Sequence, residues 1–576
     1  MSGPTVIASP RDERFWADAR AELEGLPHGG GLNIAHEAVD RHRADADATA
    51  IVAIDRQGRR TTLTYAELRR ATNRFANLLE SLGARASDTM FVLLPRRPEL
   101  HVCVLGAMKA RLVVSPLFPA FGPEPIRQRM ALGHGRVLVT TASLYERRVA
   151  PIRASLTHLE RVLVIREHDE ELPAGTIDLS AALSRSSDRY EIAATRPSDP
   201  ALLHFTSGTT GTPKGALHVH EAVVAHHSTA TTVFGLQSGD VFWCTADPGW
   251  VTGMSYGVLA PLTVGATLVV DEADLDADRW YGILEREHVN VLYTAPTALR
   301  MLRKAGGDVA SSHDLGALRT IASVGEPLDP ATLAWATSTF RVPVLDTWWQ
   351  TETGGIMIAN RAGVEVRPGS MGTPLPGIEV AVLDSDDRGV PRQHDGHPVA
   401  AAVGETGQLA LRAGWPSMFR AYLGEPERYA RCFADGWYLT GDLARLDADG
   451  YVWFVGRCDD VIKSAGHLIG PNEVESVLLQ HADVAEAGVI GVPDPVAGEI
   501  VKAFVVLRAG APGGERTTRS ILAHARRQLG AAIAPREIVI TTTIPKTKSG
   551  KILRRLLRAR ELGLPEGDLS TLEPEV

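Results

Sequence analysis

The first half of the chain alternates short apolar runs with amphipathic stretches. Apolar runs at residues 90–94, 161–165, 266–270 and 289–293 predict buried strands. Thr64 and Glu67 form a Thr-x-x-Glu capping box, which predicts the start of an amphipathic helix that ends near Gly83. Strands and helices that alternate at this spacing predict parallel sheets covered by helices, and so an α/β fold.

The pattern changes near residue 400, where glycine and aspartate turns become frequent. Short strand patterns at residues 407–413 and 450–456 predict a small antiparallel module. From Asp459 onward, a helix pattern at residues 473–482 and a strand pattern at 502–507 predict a compact α+β unit. We therefore divide the chain into two domains, residues 1–458 and 459–576.

Composition narrows the class of protein. The chain has 576 residues, 44% of them hydrophobic, and a formal net charge of −9, which argues against a general nucleic-acid-binding surface. Its four cysteines are too sparse for a disulfide framework, and none forms a CxxC pair. The N-terminus is charged, and no apolar run reaches about 18 residues, the minimum for a membrane span. We expect a cytoplasmic protein with neither nucleic acid nor membrane as a partner.

The first segment with chemical potential spans residues 206–215. Its glycines allow the backbone to approach an anion closely, while its hydroxyls and Lys214 supply donors and positive charge suited to a polyphosphate. The segment is not a Walker A loop, because Pro213 precedes the lysine and Gly215 follows it. A flexible polar loop is the alternative for a motif of this length. The candidate phosphate ligands are Thr206, Ser207, Gly208, Thr209, Thr210, Gly211 and Lys214.

The second segment runs from residue 346 to 355 and contains two adjacent tryptophans. Indole faces can stack on a purine or close an apolar pocket, and the carboxylate of Glu352 can hold Mg²⁺ beside phosphates. A core tryptophan pair at a strand end is the alternative. That alternative explains the aromatic residues but not the polar cluster of Gln350, Thr351 and Glu352 that follows them.

Two further segments lie toward the C-terminus. Asp442 follows Gly441, and a carboxylate there could accept hydrogen bonds from both hydroxyls of a ribose, although a simple turn residue is the alternative. Residues 545–555 are rich in lysine and arginine. Such a run is usually a basic surface segment, or a weak nucleic-acid patch, but it could also carry one lysine into an active site.

Together, in this order, the four segments resemble the adenylate-forming superfamily, and in particular its AMP-forming acyl-CoA synthetases. Residues 32–42 and 245–262 are similar to acetyl-CoA synthetases, so the resemblance covers nearly the whole chain. It implies a large N-terminal domain of two helix-covered sheets plus a small β-barrel-like subdomain, followed by a small mobile α+β domain. It also implies two steps: a carboxylate and ATP give an acyl-adenylate and pyrophosphate, and coenzyme A then displaces AMP.

The resemblance also implies roles for individual residues. Lys551 would stabilise the charge that develops between the carboxylate and the α-phosphate, and Thr351 would contact that phosphate. Glu352 would hold Mg²⁺, Asp459 would be the hinge of the mobile domain, and Gly466 would line the coenzyme A tunnel. The remaining ATP and AMP ligands would be the segment from Thr206 to Lys214 together with Gly325, Glu326, Pro327, Asp346, Thr347, Trp348, Gln350, Asp442 and Arg457.

The acyl pocket is the strongest indication of specificity. The residues that match the pocket of acetyl-CoA synthetases are Val251, Thr252, Val324 and Trp349, and the indole fills the volume that a longer acid would need. Overpacking of about 1–3 kcal/mol would disfavour butyrate, whereas propionate would be discriminated less. Leu468 departs from the pattern, because acetyl-CoA synthetases usually have an arginine there that reaches the nucleotide phosphate. Either the acid differs, or another cation such as Lys463 compensates.

Three alternatives stay open at this point. The acid could be medium-chain or aromatic, the chain could be an adenylation module, or it could be an inactive nucleotide- or acyl-binding protein. The intact Lys551, Glu352 and Asp442 argue against the inactive protein. We also hypothesise that acylation of Lys551 by a partner enzyme removes its charge and switches activity off, with a deacylase reversing this. The histidines near the phosphate segment lack ligand spacing and are interpreted as ordinary polar positions.

Overall fold

A computed structural model describes residues 7–8, 13–167, 170–206, 213–386, 390–458, 460–464, 467–495, 497–531, 533–547, 551–567, 569 and 572. Asp459, Gly466, Lys548 and residues 207–212 therefore lie outside the described residues. No described helix combines the length and the apolar character that crossing a membrane requires.

The strands of the described residues are numbered along the chain. The first are β1 Ile7–Ala8, β2 Thr49–Ile54, β3 Arg60–Thr64, β4 Thr89–Leu93, β5 Val113–Pro116, β6 Val137–Thr141, β7 Arg161–Ile165, β8 Ile177–Asp178, β9 Pro200–Thr206 and β10 Lys214–Val219. Next come β11 Val241–Cys244, β12 Thr267–Asp271, β13 Val291–Thr294, β14 Thr320–Ser323, β15 Val344–Trp348, β16 Ile358–Ala359, β17 Thr373–Pro374, β18 Glu379–Leu383, β19 Gln393–His394 and β20 His397–Pro398. The last are β21 Thr406–Arg412, β22 Ala421–Tyr422, β23 Phe433–Ala434, β24 Trp437–Leu446, β25 Val452–Arg457, β26 Ile462–Ser464, β27 His467–Ile469, β28 Val484–Asp494, β29 Gly498–Leu507 and β30 Glu537–Ile540.

The helices are numbered in the same way. They are α1 Glu13–Ala21, α2 Tyr65–Ser81, α3 Pro98–Lys109, α4 Pro123–Leu132, α5 Ala142–Leu144, α6 Leu179–Ser184, α7 Ala222–Phe234, α8 Val251–Met254, α9 Ala260–Val264, α10 Ala277–Arg286, α11 Pro296–Ala305, α12 Gly307–Ser311, α13 Pro330–Phe340, α14 Pro426–Ala430, α15 Pro471–Leu478, α16 Glu515–Leu529 and α17 Arg554–Leu562. Shorter 3-10 or π turns span Pro27–Gly29, His36–Asp40, Tyr145–Val149, Ala150–Ser155 and Ser255–Leu259.

Two large sheets form the body of the chain. One has eight strands in the order β22-β10-β9-β5-β4-β6-β7-β8, parallel except for the antiparallel hairpin β9–β10 and the added strand β22. The other has nine strands in the order β17-β16-β15-β14-β13-β11-β12-β2-β3, parallel from β15 to β2. One apolar core contains strand residues of both sheets together with α2, α3 and α7, while α10, α11 and α13 cover the outer face of the nine-stranded sheet. The predicted helix-covered α/β architecture is confirmed.

Two smaller sheets follow. The six-stranded antiparallel sheet β1-β18-β21-β24-β23, with β25 beside β24, is the small β-rich subdomain. Beyond it, β26 to β30 form a five-stranded sheet with its own apolar core, against which α15 and α16 pack. This unit is the predicted α+β module, and its first strand begins at Ile462.

Local sequence signals locate elements closely. Thr64 Oγ1 accepts the Glu67 amide at 3.2 Å, and the Glu67 carboxylate accepts the Thr64 amide at 2.9 Å, so the capping box starts α2 as predicted. The strand predicted at residues 161–165 is β7, and the other three predicted strands shift by one or two residues. Such shifts are expected because strand ends depend on partner strands and not on the local pattern alone.

Candidate active site

The site lies where the parallel strands of the nine-stranded sheet end. Val251 follows β11, Val324 follows β14, and Trp349 follows β15, so these residues reach the same edge of the sheet. The carboxyl edge of an open α/β sheet is the usual ligand-binding crevice. Neighbouring β14 and β15 are parallel with Ser323 beside Asp346, which brings the predicted nucleotide residues of both strands together.

Asp346 lies on β15 with its carboxylate facing Ser323. The Ser323 hydroxyl donates to Asp346 Oδ1 at 2.7 Å. Burial raises the pKa of Asp346 to about 7, and the hydrogen bond from Ser323 offsets part of this rise. The carboxyl can therefore donate or accept a hydrogen bond near neutral pH.

Helix α11 fixes the turn of Gly325, Glu326 and Pro327 through hydrogen bonds to the Glu326 side chain. Gly325 has φ of 95°, a conformation that favours glycine. The Glu326 carboxylate accepts the Thr297 amide at 2.7 Å, the Thr297 hydroxyl, and Arg300 at 2.7 Å. The side chain of Glu326 is therefore engaged with α11. The sequence reasoning missed Thr297 and Arg300.

Asp442 is a buried carboxylate with three side-chain donors around it. Trp348 Nε1 and Gln350 Nε2 each donate to Oδ2 at 3.0 Å, and Arg457 donates to Oδ1 at 3.1 Å. Burial raises the pKa of Asp442, while Arg457 acts in the opposite direction. Tyr438 in turn donates to Gln350 Oε1 at 2.9 Å. Two residues predicted at the adenine side therefore also hold the predicted ribose ligand, which the sequence did not indicate.

Lys551 comes to the same place from the C-terminal unit. Burial lowers the pKa of Lys551, Arg457 lowers it further, and the carboxylates of Asp460 and Asp442 oppose the shift. The lysine amide donates to Thr547 Oγ1 at 3.0 Å, and its carbonyl accepts the Thr547 amide at 2.8 Å. The charges of Asp442 and Arg457 therefore act on Lys551, which links the predicted catalytic lysine to the predicted ribose residues.

The two described ends of the predicted phosphate segment lie on neighbouring strands. Thr206 ends β9 and Lys214 begins β10, and the two residues are paired across the strands. Lys214 Nζ lies 5.5 Å from the ring centre of Tyr422, whose hydroxyl donates to Glu352 Oε1 at 2.6 Å. Burial lowers the pKa of Lys214, with Arg428 as the next cause. Lys214 and the predicted Mg²⁺ ligand Glu352 therefore belong to one cluster, and Tyr422 is an addition the sequence did not reveal.

Contacts with two tyrosines fix the position of the Trp349 side chain. Its Nε1 donates to the Tyr293 hydroxyl at 3.0 Å, and its ring meets the Tyr256 ring edge-on at 5.2 Å. The Tyr293 hydroxyl also lies 2.9 Å from Thr347 Oγ1, which donates to the Ser323 carbonyl at 2.7 Å. Rotation of the indole would break this chain of contacts, so Trp349 is fixed in its orientation.

Val324 is buried, whereas Val251 and Thr252, at the start of α8, are half-buried. Thr351 is half-buried next to Glu352, and its carbonyl accepts the Gly354 amide at 3.2 Å. Ser207, Gly208, Thr209, Thr210, Gly211, the hinge residue Asp459 and Gly466 lie outside the described residues. Leu468 is on β27, paired with Lys463 on β26.

The histidines near the phosphate segment are buried core residues, which corrects their interpretation as ordinary polar positions. Burial lowers the pKa of His218 and of His226 to about 4, so both are neutral. The His218 ring lies 3.0 Å from the Ser417 carbonyl, and the His226 ring lies 2.9 Å from the Gly354 carbonyl. His218 lies on β10 and His226 on α7, and both are buried, which the spacing of histidines along the chain does not show.

The fold and the site define a nucleotide-binding enzyme of the adenylate-forming class. The AMP-binding enzyme family model matches residues 38–423, and the model of the AMP-binding enzyme C-terminal domain matches residues 473–551. The chain belongs to the AMP-binding enzyme family. The predicted family, fold class and acid–CoA ligase class are confirmed, with ATP and coenzyme A as substrates.

Individual relatives agree with this assignment. The acetyl-coenzyme A synthetase of Bacillus subtilis (strain 168) is 43% identical over 563 residues, covering 97% of this chain and 95% of that one. The acetyl-coenzyme A synthetase of Pyrobaculum aerophilum is 38% identical over 618 residues, covering 98% and 90%. The crystal structure of Brucella canis acyl-CoA synthetase has a TM-score of 0.72 at 37% identity, covering 95% and 97%. The anthranilate CoA ligase AuaEII with anthranoyl-AMP has a TM-score of 0.82 at 28% identity, covering 92% and 97%.

Proposed function

We propose that this enzyme activates acetate, with propionate as a weaker substrate, to acetyl-AMP and then transfers the acetyl group to coenzyme A. The observation that supports this best is the hydrogen bond that fixes Trp349, the predicted end of the acyl pocket, to Tyr293, together with the effect of Asp442 and Arg457 on the charge of Lys551. A carboxylate is a poor acceptor for a thiol, whereas AMP is a good leaving group. The energy of ATP is therefore used to create an acyl group that the thiol can attack.

In the first step, a carboxylate oxygen bonds to the α-phosphorus and pyrophosphate leaves. Negative charge develops between the two reacting groups, and Lys551 and Thr351 supply a cation and a hydroxyl to stabilise it. Asp442 and Arg457 bind the ribose. The turn of residues 325–327, together with Asp346, Thr347, Trp348 and Gln350, binds the adenine side, while the segment from Thr206 to Lys214 binds the β- and γ-phosphates.

Mg²⁺ fits the donor set at Glu352. Mg²⁺ prefers oxygen ligands and usually takes one or two carboxylates together with substrate phosphates. Glu352 is half-buried, and Tyr422 donates to one of its carboxylate oxygens, while the other accepts no hydrogen bond from the residues that the structure describes. Mg²⁺ there would neutralise phosphate charge, which is the chemistry it supplies when bound to ATP.

Asp459 acts as the hinge and Gly466 lines the coenzyme A tunnel in this proposal. The C-terminal unit would present Lys551 for the first step and then rotate so that the thiol can reach the adenylate, as gating motions do in other enzymes.

The wide dispersion of four cysteines along the chain supports a cytoplasmic location.

A panel of acids from acetate to octanoate, plus benzoate, tests the proposal. CoA-dependent AMP formation is measured for each acid with purified protein. A sharp preference for acetate and propionate is expected, because Trp349 is fixed by Tyr293 and Tyr256. A maximum at a longer or aromatic acid would overturn the acetate assignment and leave the two-step chemistry intact. Absence of pyrophosphate release with every acid would instead favour an inactive binding protein.

We also propose that acylation of Lys551 inhibits the enzyme and that a deacylase restores it. Acylation removes the charge that the adenylation step needs. Lys551 is an exposed residue, which leaves it open to a modifying enzyme. Protein acylated quantitatively at Lys551 is expected to lose ATP–pyrophosphate exchange and to regain it on deacylation, and full exchange in the acylated protein would refute the idea.

A further inference from the structure

A second cation stands beside Lys214 at the phosphate end of the site. Helix α14 follows β22, and β22 pairs with β10, whose first residue is Lys214. Arg428 lies on α14 with its side chain 20% exposed, and its guanidinium donates to Glu425 Oε2 at 3.0 Å. The pairing of β22 with β10 thus brings α14 close to the start of β10, where Lys214 lies.

Aromatic packing fixes the position of this helix. The Phe419 ring meets the Tyr422 ring at 5.0 Å and the Tyr429 ring at 4.9 Å, so α14 and β22 pack on the same side chain. Cys432 Sγ also donates to the Arg428 carbonyl at 3.4 Å. The backbone that carries Arg428 is therefore held by aromatic packing next to β22.

The positive charges of Lys214 and Arg428 favour the binding of an anion at this end of the site. Burial is the main cause that lowers the pKa of Lys214, and the charge of Arg428 is the next. Its partner Glu425 is 37% exposed, and such rim ion pairs contribute little free energy. A ligand with several negative charges can therefore draw the guanidinium away from Glu425 and relieve the repulsion between the two cations.

Arg428 lies on the helix that follows Tyr422, the residue that links Lys214 to Glu352. Lys463, by contrast, lies on β26 in the C-terminal unit.

We propose that Arg428 binds the β- and γ-phosphates of ATP and stabilises the departing pyrophosphate. The inference rests on the proposed function. As the carboxylate oxygen bonds to the α-phosphorus, the bond from that phosphorus to the bridging oxygen breaks and its electron pair leaves with pyrophosphate. Arg428 and Lys214 together meet the negative charge that this oxygen gains, and the guanidinium fork suits two phosphate oxygens at once.

The test compares ATP with AMP, because AMP lacks the phosphates in question. Binding of each nucleotide to the full-length enzyme is measured by calorimetry for wild type, Arg428→Ala and Arg428→Lys. Loss of one charged hydrogen-bonding group is expected to weaken ATP binding by about 10- to 100-fold in Arg428→Ala and to leave AMP binding unchanged. Arg428→Lys is expected to recover part of the loss, because the charge remains but the fork is lost.

Arg431→Ala is the matched control, since Arg431 is an exposed cation at the end of the same helix. It is expected to bind both nucleotides as wild type does. In kinetic assays, Arg428→Ala is expected to slow ATP–pyrophosphate exchange while converting supplied acetyl-AMP and coenzyme A to products at the wild-type rate.

Equal loss of ATP and AMP binding in Arg428→Ala would overturn the proposal, because it would indicate a structural role. Wild-type ATP affinity in Arg428→Ala would overturn it as well. Failure of the proposed function is separable: no acid would then support exchange, yet the ratio of ATP to AMP affinity would still report on Arg428. Melting temperatures of the variants establish that each one is folded.

Discussion

Replacement of Trp349 by alanine is expected to move the acid preference toward longer chains. In the wild type, the indole is fixed by Tyr293 and Tyr256, so a longer acid must overpack at a cost of about 1–3 kcal/mol. In Trp349→Ala that cost disappears, and the two additional methylenes of butyrate gain burial worth about 0.8 kcal/mol each. The ratio of kcat/KM for butyrate over acetate should therefore rise about 10²- to 2 × 10³-fold, which corresponds to about 2.6–4.6 kcal/mol.

The assay measures CoA-dependent AMP formation with both acids over a range of concentrations. Trp349→Phe serves as the control, since it keeps an aromatic wall and loses only the donor to Tyr293. It should keep the preference for acetate. If Trp349→Ala left the ratio unchanged, or if Trp349→Phe shifted it as much, the indole volume would not set the chain length and the pocket assignment would be wrong.

Three more predictions follow from individual contacts. Gln350→Ala removes one donor to Asp442 and should raise the KM for ATP about 10-fold, checked by pyrophosphate-exchange kinetics; an unchanged KM would show that this contact is dispensable. The folded-state pKa of Asp346 is raised from 3.8 to about 7, so its contribution to stability is present at low pH and is lost as pH rises across that interval; Asp346→Asn should lack this loss in melting experiments from pH 4 to 8. Thr64→Ala breaks the capping box of α2 and should cost about 1 kcal/mol in urea unfolding, whereas Thr61→Ala, at an exposed strand position, should cost much less.

Much of the fold could be predicted from local pattern. The capping box at Thr64 and the apolar run of β7 act through neighbours a few residues apart, so their outcome is encoded where they stand. The chemical residues Lys551, Glu352, Asp442 and Lys214 were also identifiable, because a motif fixes residue type and order. Their roles remain predictions, to which the hydrogen bond between Arg457 and Asp442 and the effect of both charges on Lys551 add support.

The contacts that organise the site could not be predicted in this way. Gln350 and Trp348 reach Asp442 across more than 90 positions of sequence, Tyr422 reaches Glu352 across 70, and Trp349 reaches Tyr293 across 56. No periodicity in the chain relates such positions, since their distance depends on how three separate sheets pack. The buried histidines illustrate the same point, because a polar residue type gives no sign that the fold will bury its side chain.

The sequence by itself therefore determined the class of fold, the family and the set of reactive side chains, since these depend on local periodicity and on motifs read in order. The tertiary structure decided which side chains support them. Arg300 donates to Glu326, Trp349 donates to Tyr293, and the charge of Arg428 acts on Lys214. The physical reason is that burial and partner geometry set the charge state and the freedom of a side chain. Both are properties of the packed chain.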